Sequence, residues 1–414
     1  MSDREIFVVG GGPAGMMAAV QASQQEAGVT LIEKNSNLGK KLLLTGNGRC
    51  NITNLCDQDS FFKRFSKNGE FLRDAFKVFF NQELIEFFKV RGVEFKTEED
   101  MKVFPKNGGS ESIFDVLRKE LEKSQVKIIH NCRLEDIIVK DSRVEGVKLK
   151  ERDSVLCDAV ILATGGVSYG SSGSTGDGLK IAERLGHSMV ELMPGLVPLE
   201  VEEDYPKFLE GLTLKNIRLV FSDGKKRIVS QIGDLLFTGF GISGPLVLTL
   251  SGKVVDLLKE GQGVYVDMDL EPSLSREEIE ESILDEIRSG PKRTIKNMLE
   301  AFLPERLIEV FLEISDIHPD KLAVYITQKE RKQLVGLFKG MRLSISGSRP
   351  IDVAMVTRGG ISLKDVDPRT MESRIVKGLY FAGEILDLDA DSGGFNLQAA
   401  FSTGYLAGQS AAEI

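Results

Sequence analysis

Ile6-Phe7-Val8-Val9-Gly10-Gly11-Gly12-Pro13-Ala14-Gly15 lies near the start of the chain, and Val29-Thr30-Leu31-Ile32-Glu33-Lys34 follows it. Four apolar residues of strand-forming type run into a glycine-rich turn, and Met16 to Gln24, rich in Ala, Met and Gln, continues as a helix. In a unit of strand, turn and helix, Gly10 makes the turn, Gly12 lets the backbone approach a pyrophosphate, and Gly15 lets helix and strand pack closely. The phosphates then rest on the helix N-terminus. A bare Gly-x-Gly-x-x-Gly fits many turns. Here Val29 to Ile32 supplies a second strand ending in Glu33, at roughly the twenty-residue distance where a carboxylate accepts hydrogen bonds from an adenosine ribose. The carboxylate favours a free 2′-OH over a 2′-phosphate, so the turn reads as a dinucleotide site.

With 414 residues, 42% hydrophobic and 28% charged, the chain has ordinary globular composition and predicts two or three domains. Lys and Arg total 53 against 62 Asp and Glu, a net charge of -9, which argues against a general polyanion-binding surface, so nucleic acid is not the expected partner. Cys50, Cys56, Cys132 and Cys157 match neither metal-ligand spacing nor a disulfide framework and fit a reducing cytoplasm. Met1 to Glu5 is polar and unlike a signal peptide, and no apolar run reaches the roughly 18 to 20 residues of a membrane span. A soluble cytoplasmic protein acting on a small molecule, with no membrane partner, is expected. Its oligomeric state is not written in the sequence.

The same fingerprint serves NAD and FAD, and later segments favour FAD. Asp158 to Thr164 reads as a strand ending at Ala163-Thr164-Gly165-Gly166, and Gly378 to Ala382 as another that runs into Gly383-Glu384. In an open parallel sheet, strand ends at the switch point form the ligand crevice. Beyond Asp387, Gly393-Gly394-Phe395-Asn396-Leu397-Gln398 leads into Ala399 to Gln409, a plausible helix. Its N–H groups would stabilise negative charge near N1 and the C2 carbonyl of a reduced flavin, by on the order of 20 mV for ~1 kcal/mol.

Gly39 to Asn54 combines glycines, Lys40, Lys41 and Arg49 with Asn47, Asn51 and Asn54, and reads as the flavin-facing loop. Gly46, Gly48, Arg49, Cys50 and Asn51 are its expected contacts. Cys50 and Cys56 invite a thiol–disulfide reading, but five intervening residues would place them on different faces of a helix, so buried or loop thiols are the favoured reading. His130, His187 and His318 are scattered without a metal-ligand or Ser-His-Asp pattern, and no metal is expected.

Gly48-Arg49-Cys50-Asn51-Ile52-Thr53-Asn54, Ala163-Thr164-Gly165-Gly166, and Gly383-Glu384-Ile385-Leu386-Asp387 through Gln398 resemble the BaiN-like (YhiN, aminoacetone-oxidase-like) flavoproteins at both ends of the chain. The resemblance implies an α/β, Rossmann-like FAD domain of glutathione-reductase type, interrupted by an inserted β-barrel and a helical subdomain. The expected division is 1–190 with 346–414 for the cofactor, 191–274 with about 338–345 for the barrel, and 275–337 for the helices. Carried over position by position, Gly10, Gly12, Pro13, Ala14, Gly15, Glu33 and Lys34 would hold ADP. Lys41, Gly46, Gly48, Arg49, Cys50 and Asn51 would face the flavin. Leu134, Ala163, Thr164, Gly165, Gly383, Glu384, Gly394, Asn396, Leu397 and Gln398 complete the expected cofactor-binding set. Ala390 stands where the pattern expects glycine, which bears on that loop's flavin contacts. Members of the family act as aminoacetone oxidases or as reductases of unsaturated steroids, so no substrate transfers.

Leu196 to Glu202, Ile217 to Phe221, Lys226 to Gln231 and Val264 to Leu270 read as short strands with a hairpin turn at Asp223-Gly224, and charged helix-periodic stretches follow from Arg276 to Leu337. Phe237 to Pro245 reads as a barrel corner or as a border of the substrate pocket. Val353 to Thr357 returns as a strand. No second nucleotide fingerprint is present, so NAD(P)H would bind transiently or not at all. The expectation is an FAD-dependent oxidoreductase moving a hydride through flavin N5, with Arg49 as electrostatic support and no side chain singled out as catalytic acid or base. An FAD-dependent RNA-modifying enzyme and a non-catalytic FAD-binding protein are the competing readings.

Overall fold

The computed structural model describes residues 4–261 and 263–413; Met1 to Asp3, part of the polar start noted above, lie outside the described residues. The chain divides into two compact units, one running through Gly195 and resuming at Ile351, the other spanning Leu196–Pro350.

The first unit is built on a five-stranded parallel sheet of β1 (Glu5–Val9), β2 (Gly28–Ile32), β3 (Lys127–Ile129), β4 (Ala159–Leu162) and β5 (Leu379–Phe381), in the order β5-β4-β1-β2-β3. The central strands are buried along nearly their whole length, as a parallel sheet covered on both faces requires. The strand order reverses beside β1, which puts a crevice at the carboxyl ends of the strands. Three glycine turns and the acidic residue read from the sequence sit at those ends: Gly10 after β1, Glu33 after β2, Gly165 after β4 and Gly383 after β5. The fold is the Rossmann-like α/β class expected.

Helix α1 (Pro13–Ser23) lies against α2 (Phe395–Ala412), so the two ends of the chain share one core. A side chain placed on Gly404 would run into the Ala14 carbonyl, and one on Gly408 into the Ala18 carbonyl. The pairing of 14 with 404 and of 18 with 408 makes the helices parallel. The contact lies eight residues further from the start of α2 than from that of α1, so the N-terminus of α2 projects about 12 Å beyond it at 1.5 Å per residue.

In the second unit, six antiparallel strands close into a barrel. Thr213–Ser222 pairs on one side with Gly233–Thr238 and on the other with Val264–Asp269; the ring is completed through Gly241–Ser243, Leu199–Val201 and Met341–Ser348. Asp223 Oδ1 accepts the N–H groups of Lys225 and Lys226 and fixes the predicted hairpin turn. Phe237 to Ser243 forms a tight hairpin within the barrel wall. The boundaries differ from the expected 190/191 and 345/346. The helices expected to stand apart at 275–337 bury Ile279, Ile283, Phe311 and Phe338 in the same core as Phe221 and Phe237 of the barrel, one unit rather than two. Val356–Ile361 is the strand expected at 353–357, displaced because Ile351–Val353 forms a short 3-10 turn. Among the described residues no helix is long and apolar enough to cross a membrane.

Candidate functional site

The three fingerprint glycines do three different things. Gly10 has φ +106°, and a Cβ there would lie 2.5 Å from the Ala163 carbonyl oxygen; a Cβ on Gly15 would run into the Gly10 carbonyl. A Cβ on Gly12 meets nothing within 4 Å. Gly12 therefore faces open space at the start of α1, where no side chain caps the helix and Pro13 occupies the first turn. First-turn N–H groups left without a side-chain partner, together with the helix dipole, suit a phosphate. Glu33 is buried beside the turn: its Oε2 accepts from Gly11 N (2.8 Å), and its Oε1 from Asn35 N (2.8 Å) and Asn35 Nδ2 (2.7 Å).

Further along the crevice, Gly46, Asn47, Gly48 and Cys50 all take positive φ, which folds the predicted flavin-facing loop into a tight knot against Gly109. Asn51 Oδ1 and Thr164 Oγ1 are buried without a protein hydrogen-bond partner. An unsatisfied buried polar atom costs ~1–3 kcal/mol, and such atoms persist where a ligand bonds them. Lys41 reaches across to Glu384 (2.6 Å) and Ser168 Oγ (2.7 Å), and Glu384 also accepts from Thr357 N (2.8 Å). The α2 N-terminus, at Gly394, is likewise without a capping side chain. An open glycine face, two orphaned polar atoms and two uncapped helix starts fit an elongated dinucleotide carrying phosphates at one end and a polar ring at the other, as FAD does.

Residues 4–410 match a family described as the HI0933-like protein Rossmann domain. The chain belongs to that family. Among its relatives, a 3-dehydro-bile acid delta(4,6)-reductase of Clostridium scindens is 32% identical over 99% of both chains. A ribosomal RNA dihydrouridine synthase of Haemophilus influenzae is 31% identical, covering 97% of this chain and 96% of that one. Of solved structures, a 3-ketosteroid-delta4-(5alpha)-dehydrogenase from Rhodococcus jostii RHA1 superposes with TM-score 0.53 at 17% identity, over 100% of this chain and 98% of that one. The family is one of FAD-dependent oxidoreductases, and the structural likeness shows the shared fold.

Within this HI0933-like chain the predicted site residues are not all equally free. Gly10 to Gly15, Glu33, Ala163 to Gly165, Gly383 and Glu384 gather at the strand ends. Arg49, expected to support flavin or substrate charge, pairs with Glu98 (2.5 Å) and stacks on Phe104 with 4.4 Å to the ring centre. Asn396 spends its amide on Ala390, accepting from its N–H and donating to its carbonyl, so the loop carrying the unexpected alanine is stapled by this side chain. Gln398 is fully buried among Thr53, Phe79 and Ser402. For Asn396 the main-chain N–H in the first turn is what remains for a ligand, whereas the Gln398 N–H already bonds the Gly394 carbonyl (3.0 Å). Lys34 and Leu134 lie beside Asp177, outside the flavin loop. Ser168 and Thr357 were not singled out in the sequence; only their nearness in space to Glu384 reveals them. His187 does meet a serine, Ser373 Oγ at 2.7 Å, but both are sealed in the core and the ring also bonds the Ala182 carbonyl.

All four cysteines are free and buried. Burial pushes the Cys50 thiol up to about 11, only partly offset by a hydrogen bond with Thr45, so it is a poor thiolate and an unsuitable redox partner for Cys56. A folded pKa above the unfolded value of 9.0 means stability present below pH 9 and lost between pH 9 and about 11. Two units correspond to at most roughly 2.7 kcal/mol. Denaturant titrations should show the stability gap between wild type and Cys50→Ala narrowing by 2 kcal/mol or so from pH 8.5 to 11.5; a gap independent of pH would refute the assignment.

Proposed function

We propose that this chain is an FAD-dependent reductase that saturates a carbon–carbon double bond conjugated to a carbonyl in a small molecule. The observation that carries the cofactor half is the pair of parallel helices whose uncapped starts are offset by about 12 Å, one beside the open face of Gly12 and the other at Gly394. The reaction class is supported by full-length relatives whose names describe different substrates but one bond change. A bile-acid dienone and a uridine ring both gain two hydrogens across an alkene next to a carbonyl.

FAD, when bound, supplies a two-electron hydride carrier. The residues divide the work of holding it. The start of α1 and Gly12 take the pyrophosphate, Glu33 the adenosine ribose, and Asn51 and Thr164 offer their unpartnered oxygens to polar groups further along. The start of α2 would favour negative charge at a flavin's pyrimidine edge placed there. Lys41 and Glu384 bridge the two chain ends between these points. With no second nucleotide fingerprint, NAD(P)H serves as a transient donor.

The test is anaerobic. Protein loaded with FAD should bleach on adding NADPH or NADH and recover its yellow colour when a cyclic enone is added, with one equivalent of the saturated ketone formed per flavin. Dihydrouridine appearing in protein-free ribosomal RNA, with no turnover of enones, would favour the RNA-modifying reading that the Haemophilus relative suggests. Recovery of colour only with oxygen, and no product from either substrate, would sink the reductase proposal.

A further inference from the structure

Between β4 and the helix Asp177–Arg184 the chain runs from Ala163 to Gly176 with no strand, and five of those residues are glycine. Gly165, Gly173 and Gly176 take positive φ, so nothing in the segment's own backbone preferences fixes its course. Apart from a 3-10 turn at Gly170–Ser172 and a main-chain bond from Gly176 N to the Gly166 carbonyl (3.2 Å), its position is set from outside. At the near end, Thr357 Oγ1 accepts the N–H groups of Val167 (2.9 Å) and Ser168 (3.0 Å). At the far end, Lys34 Nζ donates to Thr175 Oγ1 (2.5 Å) and Asp177 Oδ2 (3.1 Å), while Arg133 Nη2 donates to Asp177 Oδ1 (2.6 Å). Two cations from different parts of the unit thus converge on the Asp177 carboxylate, which is largely buried whereas Arg133 is half exposed.

One amide joins this segment to the ribose carboxylate. Asn35 Nδ2 donates to Glu33 Oε1 (2.7 Å) and to the Ser172 carbonyl (3.0 Å), so any shift of the segment is felt at Glu33. Beside Asp177 opens a groove lined by the apolar Leu134 and Ile181 and by the charged Arg133, Glu135, Lys150, Lys180 and Arg184. Leu134 and Ile181 are themselves buried.

We propose that Asp177 is the positioning residue that latches the glycine-rich 163–176 segment over the adenosine half of FAD, by holding Lys34 and Arg133 together at the adenine end of the crevice. The inference rests on the FAD reading above and adds the residue that governs how long the cofactor stays. Removing the carboxylate leaves two cations facing each other and takes the ionic tie from the segment's far end, leaving the neutral contacts of Thr175 with Lys34 and of Ser172 with Asn35 and the main-chain bond from Gly176 to Gly166. The consequence is mainly on release, since loosening a clasp changes dissociation more than encounter. Because Arg133 reaches the carboxylate from a half-exposed position, the latch is also open to screening by salt.

The measurement is FAD release from the holoprotein, followed by the rise of flavin fluorescence after dilution into an excess of a flavin-scavenging apoprotein, from 50 to 500 mM salt. Wild type should release faster as salt rises. Asp177→Asn should release on the order of tenfold faster at low salt and show little salt dependence, and Asp177→Glu should recover part of the wild-type behaviour. Melting curves of the FAD-free proteins identify a variant that has merely lost a favourable acidic residue at a helix start. Unchanged release in Asp177→Asn, or equal acceleration with the salt dependence intact, overturns the latch while leaving FAD binding in place. Wild type that takes up no FAD overturns both.

Discussion

Gly12→Asp should leave the FAD-free protein as stable as wild type and cut its affinity for FAD by roughly a hundredfold or more. The first half follows from the open space around the position: a Cβ meets no atom within 4 Å, and φ is -81°, so neither packing nor backbone resists a side chain. Gly12 is also the N-cap of α1, where aspartate is among the preferred residues, and the exchange should alter stability by no more than about 1 kcal/mol, in the stabilising direction. The second half follows from what that space is for. A carboxylate there stands where the pyrophosphate should approach the helix start, so it blocks the approach and sets like charges against each other; a hundredfold is about 2.7 kcal/mol. Thermal melting of the FAD-free variant and a fluorescence titration with FAD read the two halves separately. Gly15→Ala gives the contrasting result, a loss of stability before any ligand is present, because its Cβ has the Gly10 carbonyl in its way. FAD binding to Gly12→Asp at wild-type strength would remove the pyrophosphate from the start of α1.

That division of labour among three glycines shows which parts of the site could be read in the sequence. Strand, turn, helix and acidic strand end lie within some thirty residues, and local spacing carries them all. Contacts made across the fold leave no such trace. Thr357 meets Val167 and Ser168 only because a late strand passes the turn after β4, and Asp177 meets Lys34 and Arg133 from three separate segments. Nor does side-chain type alone show which polar groups find partners within the protein. Arg49 found Glu98 and Phe104, Asn396 the backbone of Ala390, and Gln398 the hydroxyls of Thr53 and Ser402. In the middle of the chain, strand positions followed from alternation of apolar residues. The closure of the barrel did not, because it depends on Thr213–Ser222 pairing with two strands at once.

Two helical glycines make the same point with opposite signs, and they bear on how the cofactor site is assembled. Gly404 and Gly336 both sit inside helices, in α2 and in Gln328–Gly340, and on propensity alone alanine should improve either by ~0.5–1 kcal/mol. Gly336→Ala should do so, since its Cβ would meet nothing within 4 Å. Gly404→Ala should instead destabilise, and Gly404→Val should do so by roughly 3 kcal/mol or more, because the obstacle is the Ala14 carbonyl, main chain that cannot rotate aside. Separating α2 from α1 has a second effect. Gly383, at the end of β5, lies so close that its own Cβ would be 2.8 Å from that of Ala14, so the wedge moves the α1 start relative to both the Gly383-Glu384 turn and the α2 start. On the proposed placement of FAD, with its phosphates at the α1 start and its pyrimidine edge at the α2 start, the offset between the helix starts would no longer suit the cofactor. Gly404→Val is therefore expected to lose FAD affinity along with melting temperature, whereas Gly336→Ala raises the latter and leaves the former unchanged. If Gly404→Val melted early yet bound FAD as wild type does, the helix pair would be a packing device alone and not the ruler that spaces the cofactor site.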